Sequence, residues 1–329
     1  MFDKRLMNEI PEAKGYVMKQ VLFQLVALLM NVIFTVELTI LFVCLFNQTL
    51  TWRYIGLLII GIFVVLYIRG FVLKKASVCS FAGASFVKKT LRERLFGKVL
   101  LIGNHYQDYV STSELVQLSV EGINQLETYF ALYLPQFFYS MIAPFLLFVF
   151  LSFMDFKSAI VLFLCVPLIP LSIVMVQKFA KKLLAKYWSS YTTLGDSFLE
   201  NLQGLTTLKI YQSDAFKQEQ MNQEAENFRK VTMRVLIMQL NSISIMDIVA
   251  YGGAGLGSYF AIQHFARNEI SMFAAILIIL LSFEFFIPLR QLGSFFHIAM
   301  NGIAASEKIF KVLDIVEDKQ NNLFLNDDE

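Results

Sequence analysis

The chain has 329 residues, of which 57% are hydrophobic and only 16% charged, with 33 phenylalanines and a mean hydropathy of +0.59. Soluble domains lie nearer about 45–50% apolar and about 25% charged, so this composition excludes a soluble domain and marks an integral membrane protein. A net charge of +2 gives no reason to expect a nucleic-acid partner, and three scattered cysteines, Cys44, Cys79 and Cys165, support neither a disulfide framework nor a zinc site.

Residues 1–19 mix charges with Pro11 and lead to no small-residue cleavage site, which predicts an interfacial segment and not a secretory signal. Apolar runs long enough to cross about 30 Å of hydrocarbon then predict six spans, near 20–46, 54–73, 129–153, 158–177, 235–264 and 272–296. The third and fourth form a helical hairpin around Met154 to Lys157. Pro135, Pro144, Pro167 and Pro170 fall inside spans, where neighbouring groups re-satisfy the freed backbone. Residues 313–329 are expected to be a linker toward a further domain.

The basic residues are distributed unevenly. Residues 1–19 hold 4 Lys and Arg, 74–128 hold 7, 178–234 hold 9 and 297–329 hold 3, whereas the short loops hold only Arg53, Lys157 and Arg267. The positive-inside rule therefore predicts a multi-pass protein of the plasma membrane with both termini in the cytoplasm. The two inner connections, 74–128 and 178–234, are each about 55 residues long and rich in helix formers with apolar residues at three- and four-residue spacing. As helical hairpins they would project roughly 35–40 Å from the bilayer, with turns near Gly103-Asn104 and Ser213-Asp214. Such rods suit a domain that is pushed from the cytoplasmic side. No G-x-x-x-x-G-K-[ST] loop is present, so these residues alone are expected neither to bind nor to hydrolyse ATP.

Four stretches carry a family resemblance. "ENLQGLTTLKIYQSDAFKQEQ" (Glu200 to Gln220) resembles the second cytoplasmic loop of six-helix ATP-binding-cassette exporters, and "SEKIFKVLD" (Ser306 to Asp314) resembles their exit from the sixth span. "ELVQLSVEGINQLETYFALYLPQ" (Glu114 to Gln136) and "FEFFIPLRQLGSFFHIAMNGIAASEKIF" (Phe283 to Phe310) are similar to the CydD subunits of CydDC exporters. The resemblance implies an all-α membrane domain of type IV, domain-swapped architecture over 20–312, with six long helices and two cytoplasmic helical extensions. It implies a missing nucleotide-binding domain that brings ATP and magnesium, a homologous CydC-like half-transporter as partner, and a role in cytochrome bd assembly. It also implies export of cysteine and glutathione, of haem, or of both. The tips at Tyr106, Gln107 and Asp108 and at Ser213, Asp214, Phe216 and Lys217 would then couple to the ATPase domains.

Ionisable residues inside spans are functional candidates, because a charge near the bilayer centre costs about 2.5–3.5 kcal/mol on insertion scales. Arg290 is too far from Glu284 for an i,i+4 pair, which leaves Glu37 or Asp247 as partner, or a ligand carboxylate. His297 follows two turns later on about the same face, with Gly293 one turn before it and Phe286 and Phe296 nearby. That grouping offers a flat space and stacking surface, and the resemblance makes His297 a candidate ligand to haem iron. Arg69, near the inner end of the second span, either snorkels or makes a second anion contact. His264 beside an outer loop reads as solvated, and His105 as polar contact surface at a hairpin tip. A membrane haem subunit that transports nothing, or a lipid or drug exporter of the same fold, remain the alternative functions. A cavity with arginine and histidine at one level suits an anionic planar ligand; an all-apolar cavity suits a lipid or drug.

Overall fold

A computed structural model describes residues 4–48 and 51–315. Among them every regular element is helical. A short helix α1 (Lys4–Glu9) leads into α2 (Pro11–Phe46), which starts on a proline whose missing N–H is no loss in a first turn. Residues 11–19 thus belong to α2 itself. Leu6, Ile10, Ala13 and Val17 are buried in a cluster with Val87, Leu91, Ile309 and Phe310. Farther along α2, Thr35 donates to the Asn31 carbonyl at 2.8 Å and Thr39 to the Thr35 carbonyl at 2.7 Å. Both hydroxyls are thereby satisfied within their own helix, as an apolar surrounding demands.

The second helix of the pair, α3 (Trp52–Ile102), runs 51 residues without a break, roughly 75 Å. Leu57, Phe63 and Tyr67 project from it with 68–78% of their surface exposed, as side chains that face lipid should. It stops at Gly103, whose φ of +64° lies in the left-handed region that a side chain disfavours. The turn expected at Gly103-Asn104 is therefore present, as a 3₁₀ segment over Gly103–Asp108.

A continuous helical rod follows over Thr112–Ser152. It consists of α4 (Thr112–Gln117), α5 (Ile123–Thr128) and α6 (Leu134–Ser152), joined by π-helical turns at Leu118–Gly122 and Tyr129–Tyr133. Pro135 has no N–H to offer the carbonyl four residues back, that of Ala131. That oxygen instead accepts from Gln20 Nε2 of α2 at 3.2 Å and Ser80 Oγ of α3 at 2.9 Å. A proline-made vacancy thus fastens three helices together.

Asp155 caps α7 (Phe156–Cys165) by accepting from the backbone N–H groups of Lys157 and Ser158, which closes the hairpin expected around Met154 to Lys157. The fourth span differs from a single run over 158–177. It breaks after Cys165, where Pro167 and Pro170 cannot continue the hydrogen-bond ladder, and resumes as α8 (Leu168–Gln203). Among the described residues, five helices are long and apolar enough to cross a membrane, with Phe156–Ser172 as a shorter apolar stretch. Gly204 ends α8; a six-residue helix α9 (Leu205–Ile210) and a turn containing Gln212 at φ +54° lead to α10 (Asp214–Ala266). The last helix is α11 (Met272–Leu313), capped by Ser271.

Two apolar clusters hold the helices. One gathers Leu28, Leu147, Leu162, Ala254, Leu281 and Phe285; the other gathers Val87, Leu118, Tyr129, Tyr133 and Phe310. In the first, α10 approaches α7 so closely at Gly257 that a Cβ there would collide with Leu162. Small residues at such crossings let helix backbones approach where lipid supplies no hydrophobic drive.

Candidate functional site

Four helices converge on a polar cavity of about 180 Å³. Gln24 and Asn31 come from α2, Arg69 from α3, Gln136 and Tyr139 from α6, and Glu284 and Gln291 from α11. Gln24, Leu73, Gln136 and Gln291 also line a second space of about 700 Å³, so the two adjoin. Gln136 is held by a 2.8 Å bond from its Nε2 to the Pro288 carbonyl. The electrostatics are unbalanced. Arg69 Nε and Gln24 Oε1 are buried without a hydrogen-bond partner, and no ion pair within 4 Å joins Arg69 to Glu284. A buried guanidinium N–H without a partner is an unmet donor beside that polar space.

Arg69 and Glu284 are thus brought together, and Arg290 stands apart from them. Its guanidinium grips Asp247 of α10 through both carboxylate oxygens, Nη2 to Oδ2 at 3.3 Å and Nε to Oδ1, and lies 5.7 Å from the Tyr251 ring centroid. Of the two acids the sequence offered, Asp247 is the partner. Glu37 instead lies against Gly61 of α3.

The flat space expected beside Gly293 is not there, which corrects the sequence reading. The Met246 thioether fills it, so that a Cβ at Gly293 would overlap the sulfur. Phe296 is 2% exposed inside the core, and Phe286 packs over Gly253 of α10. Neither ring offers a free stacking face. His297 lies on α11, but its side chain lies outside the described residues. The residues described around it therefore do not fit a haem: the slot is occupied by protein and the arginine is already neutralised.

At the first tip, the Tyr106 hydroxyl lies 3.1 Å from Thr112 Oγ1 and accepts from Gln107 Nε2 at 3.4 Å; these two bonds hold the Tyr106 phenol below its usual range. Gln107 and Asp108 are exposed, and the His105 side chain lies outside the described residues. Just beyond, Ser111 and Ser113 both donate to Asp196 of α8. At the second tip, Ser213 precedes α10, Asp214 pairs with Lys209, Lys217 lies 3.8 Å from Glu200, and Phe216 is 73% exposed. The Lys209 ammonium, by hydrogen bond and charge, pulls the Asp214 carboxyl below its ordinary range.

Two features escaped the sequence. His264, read there as solvated, is 6% exposed, with Nδ1 2.7 Å from Asp155 Oδ2 and 3.4 Å from Ser158 Oγ. Nothing local in the chain joins residues 109 positions apart. The amides of the cavity were missed although a signal existed: Gln20, Gln24 and Asn31 recur at helical spacing on one face of the first span.

The described residues form a bundle of long apolar helices, of the kind that crosses membranes, around a polar cavity. The family described as the ABC transporter transmembrane region matches residues 16–289, and the chain belongs to it. An uncharacterized ABC transporter ATP-binding protein of Haemophilus influenzae is 55% identical over 258 residues, 78% of this chain and 46% of that protein. The glutathione/L-cysteine transport system ATP-binding/permease protein CydD of the same species is 24% identical, covering 78% of this chain and 45% of the relative. The CydC protein of the corresponding Bacillus subtilis system is 26% identical, covering 68% and 39%. The chain spans about half the length of the curated relatives it matches.

Proposed function

We propose that this chain is the membrane half of an ABC exporter subunit that moves small zwitterionic thiols, cysteine or glutathione, through the Arg69–Glu284 cavity. In this reading six crossings place both termini and both tips in the cytoplasm. A nucleotide-binding domain supplies ATP hydrolysis with magnesium, and a second, CydC-like half-transporter completes the pathway. A role in cytochrome bd assembly would follow from delivering such thiols outward. The observation that carries the proposal is that Arg69, whose buried Nε has no partner, lines one polar cavity with Glu284. A carboxylate would satisfy the guanidinium, and an ammonium would satisfy Glu284, which is the charge pattern of an amino acid or a γ-glutamyl peptide. Four amides and a phenol around them supply neutral hydrogen bonds. A lipid tail would leave those groups unmet, and the filled space at Gly293 withdraws support from haem as the cargo.

The test is transport of labelled glutathione and cysteine by the full-length protein and its partner in proteoliposomes. Arg69→Ala and Glu284→Gln should each slow transport by about tenfold or more, as loss of one charge-assisted contact predicts. Arg69→Lys should recover part of the rate. Wild-type rates in both Arg69→Ala and Glu284→Gln would place the substrate elsewhere.

A further inference from the structure

A second cavity, of about 450 Å³, lies among α5, α8, α10 and α11 and shares no lining residue with the cavity of Arg69. Its wall is aromatic. Tyr187 and Tyr191 stack at 6.3 Å and 16°, and Phe228 of α10 faces them at 5.4 and 5.7 Å. Trp188 stands edge-on to both tyrosines. The one formal charge on the lining is the Glu121 carboxylate, which accepts from Gln125 Nε2 at 2.6 Å and has lone pairs to spare. No lysine or arginine lines it. Lys308 comes within 5.9 Å of the Trp188 ring, but it is bound to Glu114 at 2.8 Å.

Two polar atoms of this lining are buried and unmet. Trp188, only 4% exposed, has an indole N–H with no acceptor, and the Asn301 side-chain oxygen has no donor. Burial pushes the Tyr187 phenol up, and the neighbouring Tyr191 and Glu121 push it the same way. The phenol therefore stays neutral.

We infer that this cavity is a second binding site, for a flat aromatic cation that can both donate and accept a hydrogen bond. Stacked rings beside a lone carboxylate attract a delocalised cation by quadrupole and charge together. The unmet Trp188 N–H and Asn301 oxygen supply the two hydrogen bonds that fix its orientation. An anion finds no basic group here, and an aliphatic ligand leaves both polar groups unpaired.

The test compares two flat tricyclic probes of the same outline, 9-aminoacridine, a cation at neutral pH, and acridine, which is neutral there. Equilibrium dialysis uses the full-length protein in phosphatidylcholine nanodiscs, with empty discs as blank. The wild type should hold 9-aminoacridine roughly tenfold more tightly than acridine, the range expected of a carboxylate acting with a cation–π contact. Glu121→Gln should erase the preference, and Phe228→Leu should weaken both probes. If Glu121→Gln lowers the thermal midpoint, Asn301→Leu serves in its place and should weaken 9-aminoacridine more than acridine. Equal affinity for the two probes in the wild type, or a preference that survives in Glu121→Gln or Asn301→Leu, would overturn the site.

Discussion

Arg69 and Arg290 are guanidiniums in neighbouring apolar helices, yet their surroundings give them opposite roles. Arg290 is closed on Asp247 and serves to lock α11 to α10; Arg69 keeps a buried N–H unmet and lines a polar cavity. His264 and Asp155, with side chains 7% and 10% exposed, bind the start of α7 to the end of α10. Burial alone would raise the Asp155 carboxyl, but hydrogen bonds from Ser158 and His264 outweigh it and leave the carboxyl below its ordinary range. A depressed carboxyl contributes stability that is present above its unfolded value, about 3.9, and is lost as pH falls through the folded value. Asp155→Asn should therefore cost about 1–3 kcal/mol at neutral pH, the usual range for an abandoned buried partner. It should also flatten the loss of thermal midpoint below about pH 4. An acid limb identical to wild type in nanodisc melting curves would show that the pair contributes nothing. The hairpin around Met154 to Lys157 was legible in the sequence, but the pairing of Asp155 with His264 was not.

Helix boundaries were mostly legible because turn chemistry is local. Gly103, Ser213-Asp214 and the Met154 to Lys157 hairpin lie where the sequence places them. The break between α7 and α8 has an equally local cause in Pro167 and Pro170, though the apolar run masks it. The π turns before α6 are less legible, because a proline frees a carbonyl without saying what will meet it. Here Gln20 and Ser80 meet the Ala131 oxygen. Gln20→Ala and Ser80→Ala should each lower stability by about 0.5–1.5 kcal/mol. In a Pro135→Ala background the restored backbone N–H should reduce both costs, and double-mutant cycles on thermal midpoints will show the coupling. Additive costs in the cycle would mean that the proline and the two side chains act separately.

At the scale of the molecule, the uneven placement of lysine and arginine sets the expected sidedness. Asn268, exposed in the short turn between α10 and α11, should be reached from outside when replaced by cysteine, and Phe216→Cys at the second tip should not. Labelling of Phe216→Cys in intact cells by an impermeant maleimide would reverse the arrangement and place the tips away from any ATPase domain.

Composition and hydrophobic period determined that this chain is a helical membrane protein, and local motifs determined its turns and its resemblance to the ABC exporter family. These properties depend on neighbours a few residues apart. The tertiary structure decided which polar groups meet. Asp247 and Arg290 are 43 residues apart and His264 and Asp155 are 109 apart, while Arg69 and Glu284 sit on the second and last spans. Each meeting depends on the rotation and depth of packed helices, set by contacts such as Gly257 on Leu162 and Met246 over Gly293. The same packing closed the space that sequence reasoning had reserved beside Gly293, because a glycine marks close approach without saying whether a ligand or a methionine makes it.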